Sequence, residues 1–580
     1  MRTLDKLPAF LQEYCSEQDM NKYTARNHAV WRYIMRRALP FFRKHAVDVY
    51  EDGLTQTGLP LDRVPNIDYM DEVLQDMGWG AVPVCGFIPP WAFLEFQARK
   101  ILPIATDIRS ADHIGYTPAP DIVHEAAGHA PILPDEGYAK YLEKYGQLCT
   151  KAIYSQDDTR IFEAIRYLSD IKEKPESNTE DIERAENNLK DAVSKYTYVS
   201  EQTRVARMSW WTNEYGLVGS LKHPKIYGAG LLSSVTESKN IYTANVKKVR
   251  LSIDCINQGY DITKPQPQLF VAEDMQHLIS VLGELDETLA YRRGGIYAVD
   301  LGKESGAITT TILDSGLEIS GVLTESEADK DTIEFLKWSG PVQLCLNGSQ
   351  LKDQGVQRHP EGFSTPLGRL TSFPEKPVSQ MTKAERERAG LKKGPCELEF
   401  CTGFKLKAEL LEVVENPKTG LPLYGTFTNC IMTKNGKTYY HPDWGLFDMP
   451  FCESVSSVYG GPSDRINYGY SELSEISTVP GRETPFTTEE LTLFQGYQRL
   501  RDLRDSGMTE KELMALAEMG IRDYPNEWLY LLEIYEAGRD HLRLAKETPW
   551  LTQLFQHINS LTKHKDQADL ISVGLDLIGS

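Results

Sequence analysis

Two histidines five residues apart, His124 and His129, stand with acids at Asp121 and Glu125 in the stretch YTPAPDIVHEAAGHAP, Tyr116–Pro131. Imidazole nitrogens and carboxylate oxygens are metal donors, so their spacing decides what they can hold. Four apart on a helix, the histidines would share a face beside a glutamate, as in the H-E-x-x-H zinc motif. Five apart, at about 100° per residue, they diverge by roughly 140° on a regular helix, which excludes that motif. Both rings reach one metal only if the backbone changes course. Gly128 is the residue best able to end or distort a helix there, and Pro131 fits a helix stop. Two histidines and one carboxylate cap one face of an octahedral metal and leave the opposite positions open, a set suited to non-haem Fe(II) that must bind oxygen. Structural zinc would want four protein ligands, usually with cysteine, and no suitable cysteine pair lies nearby. Two histidines near a helix end serve equally well as core or capping residues, so spacing alone leaves both readings open.

The elements around this stretch have to position it. Residues 22–51 carry apolar residues at helical spacing around Trp31, Ile34, Met35 and Leu39, with Pro40 expected to interrupt or kink the helix. A short helix closes at Gly80, and Pro89-Pro90 opens another that holds Phe93 in its first turns. Residues 156–200 alternate in charge and break around Pro175–Thr179, which predicts a solvated helical hairpin. Beyond it, RVARMSWWTNEYGL sets a lone acid, Glu214, among aromatics. A buried carboxylate there needs a partner, because an unpaired charge in a core is very costly.

At 580 residues the chain is too long for one core and predicts about three domains. After residue 290 short alternating runs flank tight-turn signals such as Asn347-Gly348 and Asn435-Gly436, so 291–480 is read as β-rich. The proline-rich, basic segment 352–395 is read as a long loop or linker within it. Helices return over 481–580, with capping-box spacing at Thr487/Glu490 and Thr509/Glu512. The class is therefore α+β: a mostly helical 1–290, a β-rich region and a helical C-terminal region. The net charge of −20 argues against general affinity for nucleic acid or anionic membrane. No apolar run approaches the roughly 20 residues of a membrane span, and the first residues lack a signal-peptide core, so a cytoplasmic protein acting on small molecules is expected. Nine scattered cysteines form no disulfide framework; Cys396 and Cys401 read as strand residues, and His441 as structural.

The motif resembles the signature of the pterin-dependent aromatic amino acid hydroxylases. The likeness runs in order through DIRSADHIGYTPAPD before it and WWTNEYGL, YGAGLLSS and QPQLFVAED after it, covering approximately residues 20–285. With no regulatory domain ahead of it, the layout is similar to the bacterial phenylalanine hydroxylases. The resemblance implies that His124, His129 and Glu214 ligate iron, with Asp121, one turn before His124, placed to orient that imidazole, to cap the helix, or both. It places a tetrahydropterin, such as tetrahydrobiopterin, on backbone groups of Gly86, Phe87 and Ile88, stacked on Phe93 and beside Glu125. It gives the amino acid a carboxylate clamp at Arg109, further contacts at Thr117, Gly230 and Ser233, and a slot between Pro120, Trp210 and the His124 ring. The implied reaction reduces O2 with electrons drawn equally from pterin and substrate. Trp210 and Val271 favour phenylalanine as substrate over tryptophan or tyrosine, while Ser209, the charged insert and everything after residue 290 depart from the family pattern. The C-terminal half carries no catalytic constellation, and a regulatory or interaction module is the alternative role it invites.

Overall fold

The computed structural model describes residues 1–84, 88–111, 114–115, 120–173, 178–261, 264–469, 486–563 and 565–578. Helix α1 (Ala25–His45) opens on a capping box between Thr24 and Asn27 and ends on Arg43, Lys44 and His45, cations at the end the helix dipole favours. Pro40 does not interrupt it. The helix runs on to His45 because Ala38 and Phe42 on either side are buried in the core, and that packing outweighs the lost hydrogen bond.

Strands β1 (Gly80–Val84) and β2 (Ile101–Ala105) pair in parallel, with α2 (Pro90–Ala98) connecting them. The following helix α3 (Glu136–Cys149) packs along α2. The predicted charged hairpin is present as α4 (Gln156–Glu173) and α5 (Thr179–Ser194), and α5 buries only Ala185 among its described residues. Helix α6 (Glu201–Ser209) leads to a sheet of order β4-β3-β6-β5, formed by β3 (Leu217–Gly219), β4 (Pro224–Ile226), β5 (Lys247–Arg250) and β6 (Gln268–Ala272). Between β4 and β5 lies the single turn α7 (Ala229–Leu232), and α8 (Met275–Asp286) and α9 (Gly295–Ser305) end the helical half.

The β-rich pattern forms two antiparallel sheets. One joins β7 (Ile308–Leu313), β8 (Leu317–Asp329), β9 (Thr332–Leu346), β10 (Ser349–Gln350), β11 (Gly362–Pro366) and β17 (Val455–Gly460). The other joins β12 (Gly394–Glu399), β13 (Lys405–Glu415), β14 (Pro422–Lys434), β15 (Lys437–Tyr440) and β16 (Phe447–Pro450). Both Asn-Gly pairs turn as expected, with positive φ at Asn347, Gly348, Asn435 and Gly436. Segment 352–395 is not a linker: it contributes β11 and buries Leu367, Leu370, Val378, Met381 and Leu391 between the sheets' cores. A single turn, α10 (Arg465–Tyr468), follows β17. His441 accepts a hydrogen bond from the Asp443 amide (3.3 Å) and caps a turn, Cys396 lies in β12, and no described cysteine is in a disulfide.

Both predicted capping boxes open C-terminal helices, α11 (Thr488–Ser506) and α12 (Glu510–Asp523). With α13 (Trp528–Glu536), α14 (Pro549–Leu561) and α15 (Lys565–Asp576) they dock on α1 and share its hydrophobic core. Trp528 meets Tyr33 edge-on at 5.3 Å. Arg32 pairs with Glu533 at 2.7 Å and with Glu536, Arg504 with Glu533 at 2.6 Å, and Arg26 with Glu527 at 2.8 Å. Among the described residues no helix is long and apolar enough to cross a membrane.

Candidate active site

The two histidines lie on one π-helical segment, Val123–His129. Hydrogen bonding from i to i+5 widens each turn, so residues five apart return to one side instead of diverging. The change of course is thus spread over the whole segment rather than made at Gly128. Gly128 serves a different end: a Cβ there would stand 2.7 Å from the Ala229 carbonyl, so glycine lets α7 approach. The helix does not stop at Pro131, which lies in a 3-10 turn, Ala130–Ile132, that continues it. Glu214 ends a second π-helical segment, Trp210–Glu214, closed by Tyr215 N donating to Trp210 O at 2.9 Å.

These segments bring three donors together. His124 Nε2 lies 3.2 Å from Glu214 Oε2, His129 Nε2 lies 3.4 Å from Glu214 Oε1, and all three ligand atoms fall within 4.8 Å of one another. Adjacent donors on an octahedral metal, each about 2.1 Å from it, are about 3 Å apart, so the set fits one ion. Both ring nitrogens of His129 and Oε2 of Glu214 are buried without a hydrogen-bond partner, although buried polar groups are ordinarily satisfied. Burial alone would raise the Glu214 carboxyl, but the two imidazoles outweigh it and hold it far below the usual carboxylate range. Burial would likewise lower His124, yet Glu214 holds it up at about 9.

Asp121 does not orient the His124 ring. Its carboxylate accepts from Arg109 N (2.9 Å), Nε (2.8 Å) and Nη2 (2.8 Å), and from the His124 amide (3.1 Å). It therefore caps the segment and grips Arg109, with both side chains buried. Ser233 takes the place expected of Asp121: its Oγ lies 3.2 Å from His124 Nδ1 and donates to the Gly230 carbonyl at 3.2 Å.

Around this centre, the half-buried Phe93 ring is 6.3 Å from His129, tilted by 54°. Glu125 is buried, with Oε2 3.9 Å from His129 Nε2 and no hydrogen-bond partner, and burial raises its carboxyl. Trp210 stacks on Tyr260 at 4.4 Å and 8° and meets Tyr215 at 4.6 Å, tilted by 32°. The two tyrosines were missed in the sequence; Tyr215 falls inside the WWTNEYGL motif, while Tyr260 carries no local signal. Pro120 is exposed just before Asp121, and Ile88 is half-buried against the Leu7–Phe96 cluster. Gly86, Phe87 and Thr117 lie outside the described residues.

Residues 8–161 and 197–298 match the profile of a family described as biopterin-dependent aromatic amino acid hydroxylase. Over those residues the helical half of the chain resembles that family. It is similar to phenylalanine-4-hydroxylase of Pseudomonas aeruginosa, 29% identical over 266 residues that cover 45% of this chain and 84% of the relative. The Ralstonia nicotianae phenylalanine-4-hydroxylase is 27% identical over 289 residues, 47% of this chain and 78% of its own. Among solved structures, a phenylalanine hydroxylase variant from Chromobacterium violaceum is 26% identical and covers 48% of this chain and 87% of that one, with a TM-score of 0.37. The gap in the profile, 162–196, takes in most of the α4–α5 hairpin, and the β-rich and C-terminal helical regions lie beyond the hydroxylase match.

Proposed function

We propose that this hydroxylase converts L-phenylalanine to L-tyrosine with Fe(II), a tetrahydropterin such as tetrahydrobiopterin, and O2, as a cytoplasmic enzyme of small molecules. The observation that carries the reading is the convergence of His124, His129 and Glu214 donors with unsatisfied buried atoms beside an aromatic wall. Two imidazoles and a carboxylate that leave half the coordination sphere open suit an oxygen-binding iron better than a closed structural zinc. Bound iron and pterin would supply oxygen activation and two of the four electrons.

The chain's own groups bind and orient. Ser233 Oγ accepts from His124 Nδ1–H and so turns Nε2 toward the metal position. Asp121 engages Nε and Nη2 of Arg109, which leaves Nη1 to meet the substrate carboxylate, with Thr117 and Gly230 as further contacts. Trp210, held by Tyr215 and Tyr260, forms the wall of the aromatic slot that Pro120 and the His124 ring complete. On the other side, Phe93 offers a face to the pterin ring and the backbone of Gly86, Phe87 and Ile88 its edge. Burial favours the protonated form of Glu125, a form able to donate a hydrogen bond to the pterin.

Phenylalanine is preferred because Trp210 and Val271 follow the pattern of the phenylalanine enzymes rather than that of the tryptophan or tyrosine enzymes. The test is tyrosine formation from phenylalanine by the iron-loaded protein with tetrahydrobiopterin and O2, alongside turnover of tyrosine and tryptophan. Absence of tyrosine, or faster turnover of either rival, overturns the assignment.

A further inference from the structure

The β-rich region meets the hydroxylase half at a corner close to the pterin side of the site. β17 ends at Gly460, whose amide donates to the Lys151 carbonyl (3.3 Å) and where a Cβ would stand 2.4 Å from the Ala152 carbonyl. The Lys151 ammonium lies 4.0 Å from the centre of the Tyr459 ring. One turn further on, the Arg465 guanidinium lies over the indole of Trp91, 4.5 Å from its centroid. Trp91 is the second residue of α2, and Phe93 follows two positions later on the same nine-residue helix. On its other sides Trp91 meets the Phe10 ring at 6.4 Å and the edge of Tyr14 at 5.5 Å.

Arg465 is carried on a rigid arm. Asp464 caps α10 by accepting from the Asn467 amide (3.1 Å), and its other oxygen accepts from the Gln350 amide (2.9 Å). The Asp464 carbonyl accepts from Gln343 Nε2 (3.2 Å), and Tyr468 Oη donates to the Pro341 carbonyl (2.7 Å). The cation over Trp91 is thereby anchored to the six-stranded sheet. Indole is the ring that attracts a cation most strongly, and the contact holds the first turn of a helix only about 13 Å long.

We infer that the β-rich region acts on the active site through this corner, with Arg465 a positioning residue that fixes α2, and with it the Phe93 ring, for the pterin. The inference rests on the proposed stacking of pterin on Phe93. The metal donors stand on separate π-helical segments, so loss of the clamp should change pterin affinity and leave iron alone.

The test uses the full-length, iron-loaded chain and reads dihydrobiopterin affinity by calorimetry, together with iron content, melting temperature and the kinetic constants for both substrates. Arg465→Ala is expected to weaken dihydrobiopterin binding and raise the tetrahydrobiopterin KM about three- to tenfold. The kcat at saturating pterin, the phenylalanine KM and the iron content should stay at wild-type values. Arg465→Lys keeps a cation over the ring and should restore most of the affinity, and Trp91→Phe should shift it in the same direction as Arg465→Ala but less. Unchanged pterin affinity in Arg465→Ala overturns the inference, as does a joint fall of kcat, iron content and melting temperature, which is the mark of a purely structural residue. If the wild-type chain binds no dihydrobiopterin, the proposed function itself fails and the inference with it.

Discussion

Which nitrogen of His124 faces the metal follows from Ser233. With Nδ1 3.2 Å from the Ser233 hydroxyl, which already donates to Gly230, a metal-bound, neutral ring would carry its proton on Nδ1 and present Nε2, the nitrogen beside Glu214. The partner of a ligating histidine is commonly worth a factor of about 10–100 in metal affinity. Ser233→Ala is therefore expected to weaken Fe(II) binding by that factor, while His124→Ala should bring iron to background and abolish tyrosine formation. Metal analysis after dialysis against graded chelator separates the two. The three candidate donors could be picked out because their residue types and order carry a motif, and the structure brings them together. Ser233 was legible only as a substrate contact, since a hydroxyl in LLSS could bond many neighbours. Of the two roles open to Asp121, capping holds and orienting the ring does not, because Arg109 and the His124 amide occupy its oxygens.

At the scale of elements, a departure from α-helical geometry does the work that spacing made necessary. All three donors ride on π-helical segments, Val123–His129 and Trp210–Glu214, and the five-residue spacing is the trace this leaves in the sequence. The spacing showed that a regular helix would not do; it did not show which distortion replaces it, because π-hydrogen bonding has no composition of its own. Close approach of α7 to Gly128 helps to hold the first segment. Gly128→Val would press its side chain into the Ala229 carbonyl and is expected to cost about 1–3 kcal/mol and to lower iron occupancy. Thermal melting and metal content check both. The buried connection 352–395 was misread for a related reason: its prolines and lysines describe the exposed side, while the few anchors that bury it, such as Leu370 and Met381, follow no period.

For the whole molecule, the decisive contact joins residues about 500 positions apart, which is why no local pattern revealed it. The C-terminal helices were visible as capped periodic segments, but their docking on α1 depends on which apolar faces meet. Charge secures that docking. Burial would raise the Glu533 carboxyl, yet Arg504 and Arg32 hold it down at about 2. An acid depressed from its ordinary value of about 4.3 stabilises the fold fully above that pH and loses the contribution as pH falls toward 2. Acid should thus release the C-terminal helices, and limited proteolysis across that range reads it. Glu533→Ala leaves Arg32 and Arg504 buried beside each other and is expected to cost about 3–5 kcal/mol by thermal or denaturant unfolding. The same geometry changes what a truncation can show. A chain ending at residue 305 keeps every candidate ligand, but it exposes the α1 face that Trp528 covers at Tyr33 and strips Arg32, Arg36 and Arg26 of their acids. An exposed apolar face of that kind favours self-association. The 1–305 chain should therefore elute as aggregate and bind a hydrophobic dye, and a soluble monomer with wild-type melting behaviour would refute the integral role assigned to the C-terminal helices.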